Sequence, residues 1–239
     1  MKKDVYMIGV IVKKEIVDTI RTLGIFLIAM IFCFNLCIYI TDTEIFELGI
    51  PKEILPYQLG LSMMYLVAMT SLFLGTTLTN KMIYEEKRTK TMHMLLGMGV
   101  PKEVVWLGKI LAIVIMCALF GVLNVLVHII FVWIWFDVLI KFNGMAIAMV
   151  FITVPMLCYG FIALASVAYM YFSRMNIVGM FIQIVPYLAV WEVSSSLVEY
   201  TKVPLYIMLL SLGIGLVAII VSMLCVMGMS KERIVSRVD

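Results

Sequence analysis

Six stretches of this chain, approximately 23–40, 57–79, 110–136, 145–172, 177–197 and 205–229, are long, apolar and almost free of charge. A helix crossing a hydrocarbon layer ~30 Å thick needs about 20 such residues. Strands are excluded, because an open sheet edge in lipid leaves backbone groups unpaired. No ten-residue alternating pattern suggests a barrel either. The expected fold is therefore an all-α integral membrane protein with six transmembrane helices. Composition agrees: 64% of the residues are apolar and 14% charged, against roughly 45–50% and about 25% in soluble domains. All five cysteines, Cys33, Cys37, Cys117, Cys158 and Cys225, fall inside the apolar runs without a CxxC pair. They read as small buried hydrophobes.

Charge placement gives the direction. Fifteen of the 18 Lys and Arg residues fall in one alternate set of connections: Lys2, Lys3, Lys13, Lys14 and Arg21; Lys81 through Lys109; Arg174; and Lys231, Arg233 and Arg237. Only Lys52, Lys141 and Lys202 fall in the other set. Such an excess marks the cytoplasmic side, so both termini are expected there, with the chain a multi-pass protein of the plasma membrane of a bacterial cell. Trp133, Trp135 and Trp191 at the outer ends of spans, and Trp106 at an inner end, occupy headgroup-level positions.

Outside the spans, residues 1–22 are expected to form an amphipathic helix lying along the inner membrane surface. Val5, Ile8, Val12, Ile16 and Ile20 share one face of it, and Lys3, Lys14, Asp18 and Arg21 lie opposite. Residues 41–56 read as an acidic outer loop carrying Asp42, Glu44, Glu47 and Glu53 against Lys52 alone. The 80–109 connection is the largest internal one. There Glu85 and Glu86 suit the first turn of a helix over 84–97, Met92, Leu95 and Leu96 form an apolar stripe, and Gly97 and Gly99 stop it before Pro101 opens the next helix.

An acidic residue, Arg88, Thr89 or Thr91, Leu95-Leu96, Val100-Pro101 and Gly108-Lys109 entering a span resemble the signature of ABC-2 type transporter permeases, loosely Glu-Arg, Gly-Thr, Leu-Leu, Pro, Gly-Lys. Thr89 or Lys90 stands where a Gly is common before the Thr. The resemblance covers nearly the whole chain, since the family has an amphipathic N-terminal helix, six spans, internal termini and a cytoplasmic coupling helix. It implies the transmembrane subunit of an ABC exporter, paired with a second copy or a paralogous permease and with two copies of a separate ABC ATPase. On this reading Glu85, Glu86, Arg88, Thr89 and His93 supply the polar contacts to the ATPase, and Met92, Leu95 and Leu96 an apolar anchor. ATP and Mg would be held by the partner, so the chain itself would be no enzyme and would bind no cofactor. The nearest approach to a P-loop, Gly75 to Lys81, lacks the second Gly and the strand a phosphate cradle needs. Compact permeases of this kind imply a hydrophobic or amphipathic cargo, a peptide such as a bacteriocin or toxin being favoured, for export or immunity.

Polar residues at membrane depth are candidates for the substrate path: Thr70, Ser71 and Thr76 in the second span, Asn124 and His128 four apart in the third, and Glu192 with Ser195 in the fifth. Helix packing is the competing role for each, and a wet headgroup position for Glu192. Two other classes compete with the pump: a passive channel or scramblase, and a CAAX-type intramembrane protease suggested by Glu85-Glu86-x-x-x-Lys90. The protease needs a pair of histidines in a membrane cavity, but of this chain's two, His93 lies in the basic loop away from His128, and Phe120 is followed four residues later by Asn124 and not by a histidine. Nothing in the pattern points to nucleic acid.

Overall fold

A computed structural model describes residues 2–47, 51–171, 205–230 and 234. In chain order the elements are α1 (Lys2–Glu47), α2 (Leu55–Thr79), a π-helical turn (Asn80–Glu85), α3 (Glu86–Arg88), α4 (Thr91–Gly97), α5 (Lys102–Phe136), α6 (Gly144–Ala148), a second π-helical turn (Met149–Thr153), α7 (Val154–Tyr171) and α8 (Leu205–Gly228). Among the described residues there is no strand. Five rods, namely α1, α2 with α3, α5, α6 with α7, and α8, are long and apolar enough to cross a membrane. The expected fifth span, 177–197, with Glu192 and Ser195, lies outside the described residues. Tyr171 and Leu205, which flank it, stand at opposite ends of the bundle: Tyr171 packs in one apolar cluster, while Ile207 and Met208 pack in the other.

The termini of these helices follow local chemistry. Pro56 occupies the first turn of α2, where its missing N–H is not needed. Pro101 caps α5 from an extended conformation, and Asn143 accepts a hydrogen bond from the Ala146 N–H at 2.6 Å to cap α6. Pro155 cannot donate to the carbonyl four residues back. The wide turn at Met149–Thr153 lies just before it and absorbs the mismatch without ending the rod.

The N-terminal region departs from expectation. In place of a surface helix over 1–22 followed by a separate span, α1 is one helix of 46 residues. That is about 69 Å of rod against a hydrocarbon layer of about 30 Å. No proline interrupts it, and its inward stripe is continuous: Ile8, Val12, Glu15, Thr19, Leu23, Leu27, Met30, Phe34, Ile38, Asp42 and Ile45 recur every three or four residues. Of the five residues expected on one apolar face, Ile8, Val12 and Ile16 are half-buried against the bundle, while Val5 and Ile20 are exposed on it. Asp42 lies within the helix and is fully buried, so it is not an outer-loop residue.

α2 is the central helix, buried along most of its length, while α1 and α8 turn most of their surface outward. Two apolar clusters fill the bundle. One, around Leu78, Met92, Trp106 and Met170, lies at the end rich in Lys and Arg (the basic end). The other, around Ile38, Met63, Val132 and Val150, lies toward the far end. There Phe46 stacks on Phe136 at 4.2 Å, and the Lys141 N–H reaches the Pro56 carbonyl. Where α7 crosses α8, Gly160 faces Gly215: a Cβ on Gly160 would lie 2.6 Å from the Gly215 carbonyl oxygen. Only hydrogen fits there, so backbone meets backbone.

Candidate functional site

The 80–109 connection is where sequence and structure differ most usefully. The expected helix over 84–97 is two short helices joined by a reversal. The π-helical turn carries the chain out of α2 to Glu85, α3 adds one turn, and Lys90 then takes a left-handed conformation, φ 62°, from which α4 starts. Thr89 Oγ1 and Thr91 Oγ1 lie 3.0 Å apart across this corner. A left-handed residue with a Cβ costs roughly 1–2 kcal/mol, a cost glycine escapes. Lys90→Gly is therefore expected to raise stability by up to about 1 kcal/mol, seen as a higher unfolding midpoint in detergent. A lower midpoint would mean the Lys90 side chain does something that its exposure does not suggest.

The reversal rotates α4 so that Met92 and Leu96 enter the chain's own core. They anchor α4 to the bundle, where the expectation was an anchor for a partner; Leu95 is half-buried against the same cluster. The exposed surface of this region is made instead by Glu85, Arg88, Thr89, Met94 and Met98. Met94 is 63% exposed and Met98 71%. His93 is half-buried, and its Nε2 has no hydrogen-bond partner.

Where α3 meets α1 and α5 lies a cluster of alternating charges. Lys109 is fully buried, with Nζ 2.8 Å from Glu15 Oε1 and 2.7 Å from Glu86 Oε2. Lys14 Nζ lies 3.4 Å from Glu15 and 3.4 Å from Glu86. Two cations and two carboxylates make the group neutral, which is what allows a lysine to be buried there. The neighbouring Gly108 lets Ile11 of α1 pack close enough to bring Glu15 over Lys109. The cluster thus ties α1, α3 and α5 at one point.

Other basic residues counted for orientation are also tied. Lys87 is buried and donates to the Met170 carbonyl at 2.9 Å, in the last turn of α7. Lys102 donates to the carbonyls of Met227 and Met229 at the end of α8. Helix C-termini leave carbonyls unpaired and carry the negative end of the dipole, so each lysine caps a helix it does not belong to. Lys81 reaches Thr22 Oγ1, and Trp106 Nε1 donates to Ser166 Oγ at 2.7 Å.

Three of the residues expected to line a path belong to a continuous chain of hydrogen bonds. Thr70, Asn124 and His128 are all buried, and they are joined by two residues that sequence reasoning missed, Asn35 and Asp42 of α1. Ser62 Oγ lies 3.2 Å from Asp42 Oδ1, and Asp42 Oδ2 lies 2.7 Å from His128 Nε2. His128 Nδ1 lies 3.0 Å from Asn35 Oδ1, and Asn35 Nδ2 donates to Asn124 Oδ1 at 3.1 Å. Asn124 Nδ2 donates to Thr70 Oγ1 at 2.8 Å, and Thr70 donates to the Leu66 carbonyl at 2.7 Å. Thr76 only bonds back to its own helix, and Ser71 Oγ has no partner. Glu192 and Ser195 fall outside the described residues. The signal that could have found Asn35 and Asp42 is their spacing of seven, two turns apart on one face.

His93 and His128 stand in different halves of the bundle, and among the described residues no group of three or more His, Cys, Asp or Glu is placed to hold a metal. The described cysteines are free thiols. Gly75, in the sequence tested as a P-loop, packs mid-helix against Ile162 and Cys117. Comparison with protein-family models, with curated proteins and with solved structures gives no match to this chain.

Proposed function

We propose that this chain is the membrane-spanning permease subunit of an ATP-driven exporter of the ABC-2 type, powered by a separate ATPase that docks at the basic end. The observation that carries this reading is the convergence of the motif positions. Glu86, Lys90, Leu96, Pro101, Gly108 and Lys109 each have a distinct structural task in one small region. Lys90 adopts the left-handed backbone that glycine favours. This supports aligning Lys90-Thr91 with the Gly-Thr of the motif. Gly108-Lys109 supplies both the close approach of α1 and the buried cation.

On this reading the basic end is cytoplasmic, and α4 is the part a partner presses on. Met94 and Met98, one turn apart, give an exposed flexible apolar pair beside Arg88, Thr89 and Glu85, which suits an adaptable docking contact. Displacement of α4 would pass to α3, and from Glu86 of α3 to α5 and α1 through Lys109 and Glu15, so a push at the loop becomes a shift of two spans. ATP and Mg would be bound by the ATPase, two copies of which would face a permease dimer. Cargo is expected to be hydrophobic or amphipathic, a peptide being favoured by the size and apolar character of the chain.

The test is affinity purification of the tagged chain from its own host membranes, with ATP hydrolysis and vesicle transport measured on the product. An ABC-class ATPase should co-purify. The double variant Met94→Glu, Met98→Glu should reduce its recovery by tenfold or more without moving the permease's own unfolding midpoint, because both side chains are exposed. Cargo movement that needs no ATP and no ATPase would sink the proposal in favour of a passive channel or scramblase.

A further inference from the structure

The hydrogen-bonded chain between α1, α2 and α5 has a directional logic that fixes how many protons it holds. Asn35 Nδ2 lies 2.7 Å from the Ile31 carbonyl, which can only accept. Its amide orientation is therefore set, and Asn35 Oδ1 faces His128 Nδ1 at 3.0 Å. An oxygen there requires Nδ1 to carry hydrogen. The second ring nitrogen, Nε2, faces Asp42 Oδ2 at 2.7 Å, a distance that needs one proton between them.

Charge decides the count. With no proton between them, two lone pairs face each other and a bare carboxylate is buried. With a second proton, placed on Oδ1 toward Ser62, the hydrogen bonds can still be made but the pair carries a net positive charge. With one proton the pair is neutral, and Ser62 Oγ shares its single hydrogen between Asp42 Oδ1 and the Leu59 carbonyl, 2.9 Å away. Both side chains are fully buried, so neutrality is strongly favoured. Among the described residues, Asp42 meets only Ser62 and His128. The other described titratable side chains on the elements packed here are Cys33, Cys37, Tyr39 and Glu47 of α1, Tyr57 and Tyr65 of α2, Asp137 at the end of α5 and Cys158 of α7. Tyr39 packs among Phe131, Trp135 and Phe136, and Glu47 is exposed.

We propose that Asp42 and His128 form a single-proton binding site that latches α1 to α5 and α2 in the far half of the bundle, so that opening there is linked to pH. The proposal stands apart from the export reading. The sign follows from proton counts. The closed latch holds one proton. Once opened and hydrated, the pair holds one proton between the ordinary values of about 4 for Asp and about 6.5 for His, none above and two below. Opening is thus independent of pH between about 4 and 6.5. Above that window it releases a proton and is favoured tenfold per pH unit; below it, opening takes up a proton and is again favoured.

Asp42→Asn separates this from a merely structural contact. An asparagine amide can donate to Nε2 while Nδ1 still donates to Asn35, so the closed chain survives, neutral and without the shared proton. Opening then exchanges no proton above about pH 6.5 and takes one up below it. Above about pH 6.5 only the native profile rises, and between about 4 and 6.5 only the variant's changes, rising on acidification.

The experiment uses the full chain in lipid nanodiscs. Amide hydrogen exchange over α1 residues 35–45 is followed by mass spectrometry and divided by the intrinsic rate at each pH, giving the opening constant. The expected result is a tenfold rise per pH unit above about 6.5 for the native chain, and a flat line there with a rise on acidification for Asp42→Asn. Identical profiles in the two proteins would overturn the proposal. Nitrogen NMR of His93→Ala, which leaves one imidazole, provides the check that needs no latch variant. Nδ1 should stay protonated throughout, with the remaining proton shared at Nε2. A bare Nδ1, or a ring that titrates like free histidine, would also overturn it.

Discussion

Lys109→Met should lower the unfolding free energy of the chain by about 3–5 kcal/mol, the range for breaking a buried ion pair from one side. Methionine matches the length of the lysine stem, so packing around α5 is nearly preserved and the loss is electrostatic. Glu15 and Glu86 would then face each other across an apolar side chain, both largely buried. Lys14 is too exposed and too distant from either carboxylate to replace the missing cation. The triple variant Lys109→Met, Glu15→Gln, Glu86→Gln removes the buried charges together and should recover most of the loss, because a buried ion pair contributes little net stability over neutral groups. Denaturant midpoints in mixed micelles measure both. A single variant no less stable than the triple would mean that water reaches the cluster and that α1, α3 and α5 are not held by it.

That cluster marks the boundary of what the sequence could tell. Hydropathy placed four rods closely, since a charge-free run has one stable form in lipid and its ends carry ordinary punctuation. The expected 57–79, 110–136, 145–172 and 205–229 correspond to helices beginning at Leu55, Lys102, Gly144 and Leu205. The excess of Lys and Arg at one end was equally plain, but its structural use was not. Which carbonyl Lys87 caps, or that Lys109 sits between Glu15 and Glu86, depends on the crossing of helices far apart in sequence.

The misread elements have a common cause. At Arg21-Thr22 the composition changes from charged to apolar, which marks a change of surroundings and not a change of element. A helix needs a breaker to stop, and α1 has none before Glu47. The same continuity carries Asp42, whose charge suggests a loop, into the helix and against its histidine partner. At 84–97 the opposite occurred: helix-compatible residues hid a reversal, because lysine rarely adopts the conformation that Lys90 does. The stripe of Met92, Leu95 and Leu96 was legible as a stripe, but only the reversal decides that it faces inward.

The hydrogen-bonded chain in the far half gives the second large effect, and its members should differ in a set order. His128→Leu is expected to cost about 3–5 kcal/mol at pH 7. It leaves the Asp42 carboxylate in an apolar site and Asn35 Oδ1 without a donor. Protonating a carboxyl with an ordinary value near 3.9 at pH 7 already requires about 4 kcal/mol, so no cheaper escape exists. The cost should therefore shrink as pH falls toward 4, where that protonation becomes free. Thr70→Val, at the other end of the chain, removes a neutral partner from Asn124 Nδ2. Side-chain hydrogen bonds between membrane helices average about 0.6 kcal/mol and reach about 1.7, so its cost should stay within that range and show no dependence on pH. Unfolding midpoints for the two variants at pH 7 and pH 4.5 decide the matter. Equal costs at both ends would place the energy in generic helix packing; a large, pH-dependent cost confined to His128 places it in the buried charge.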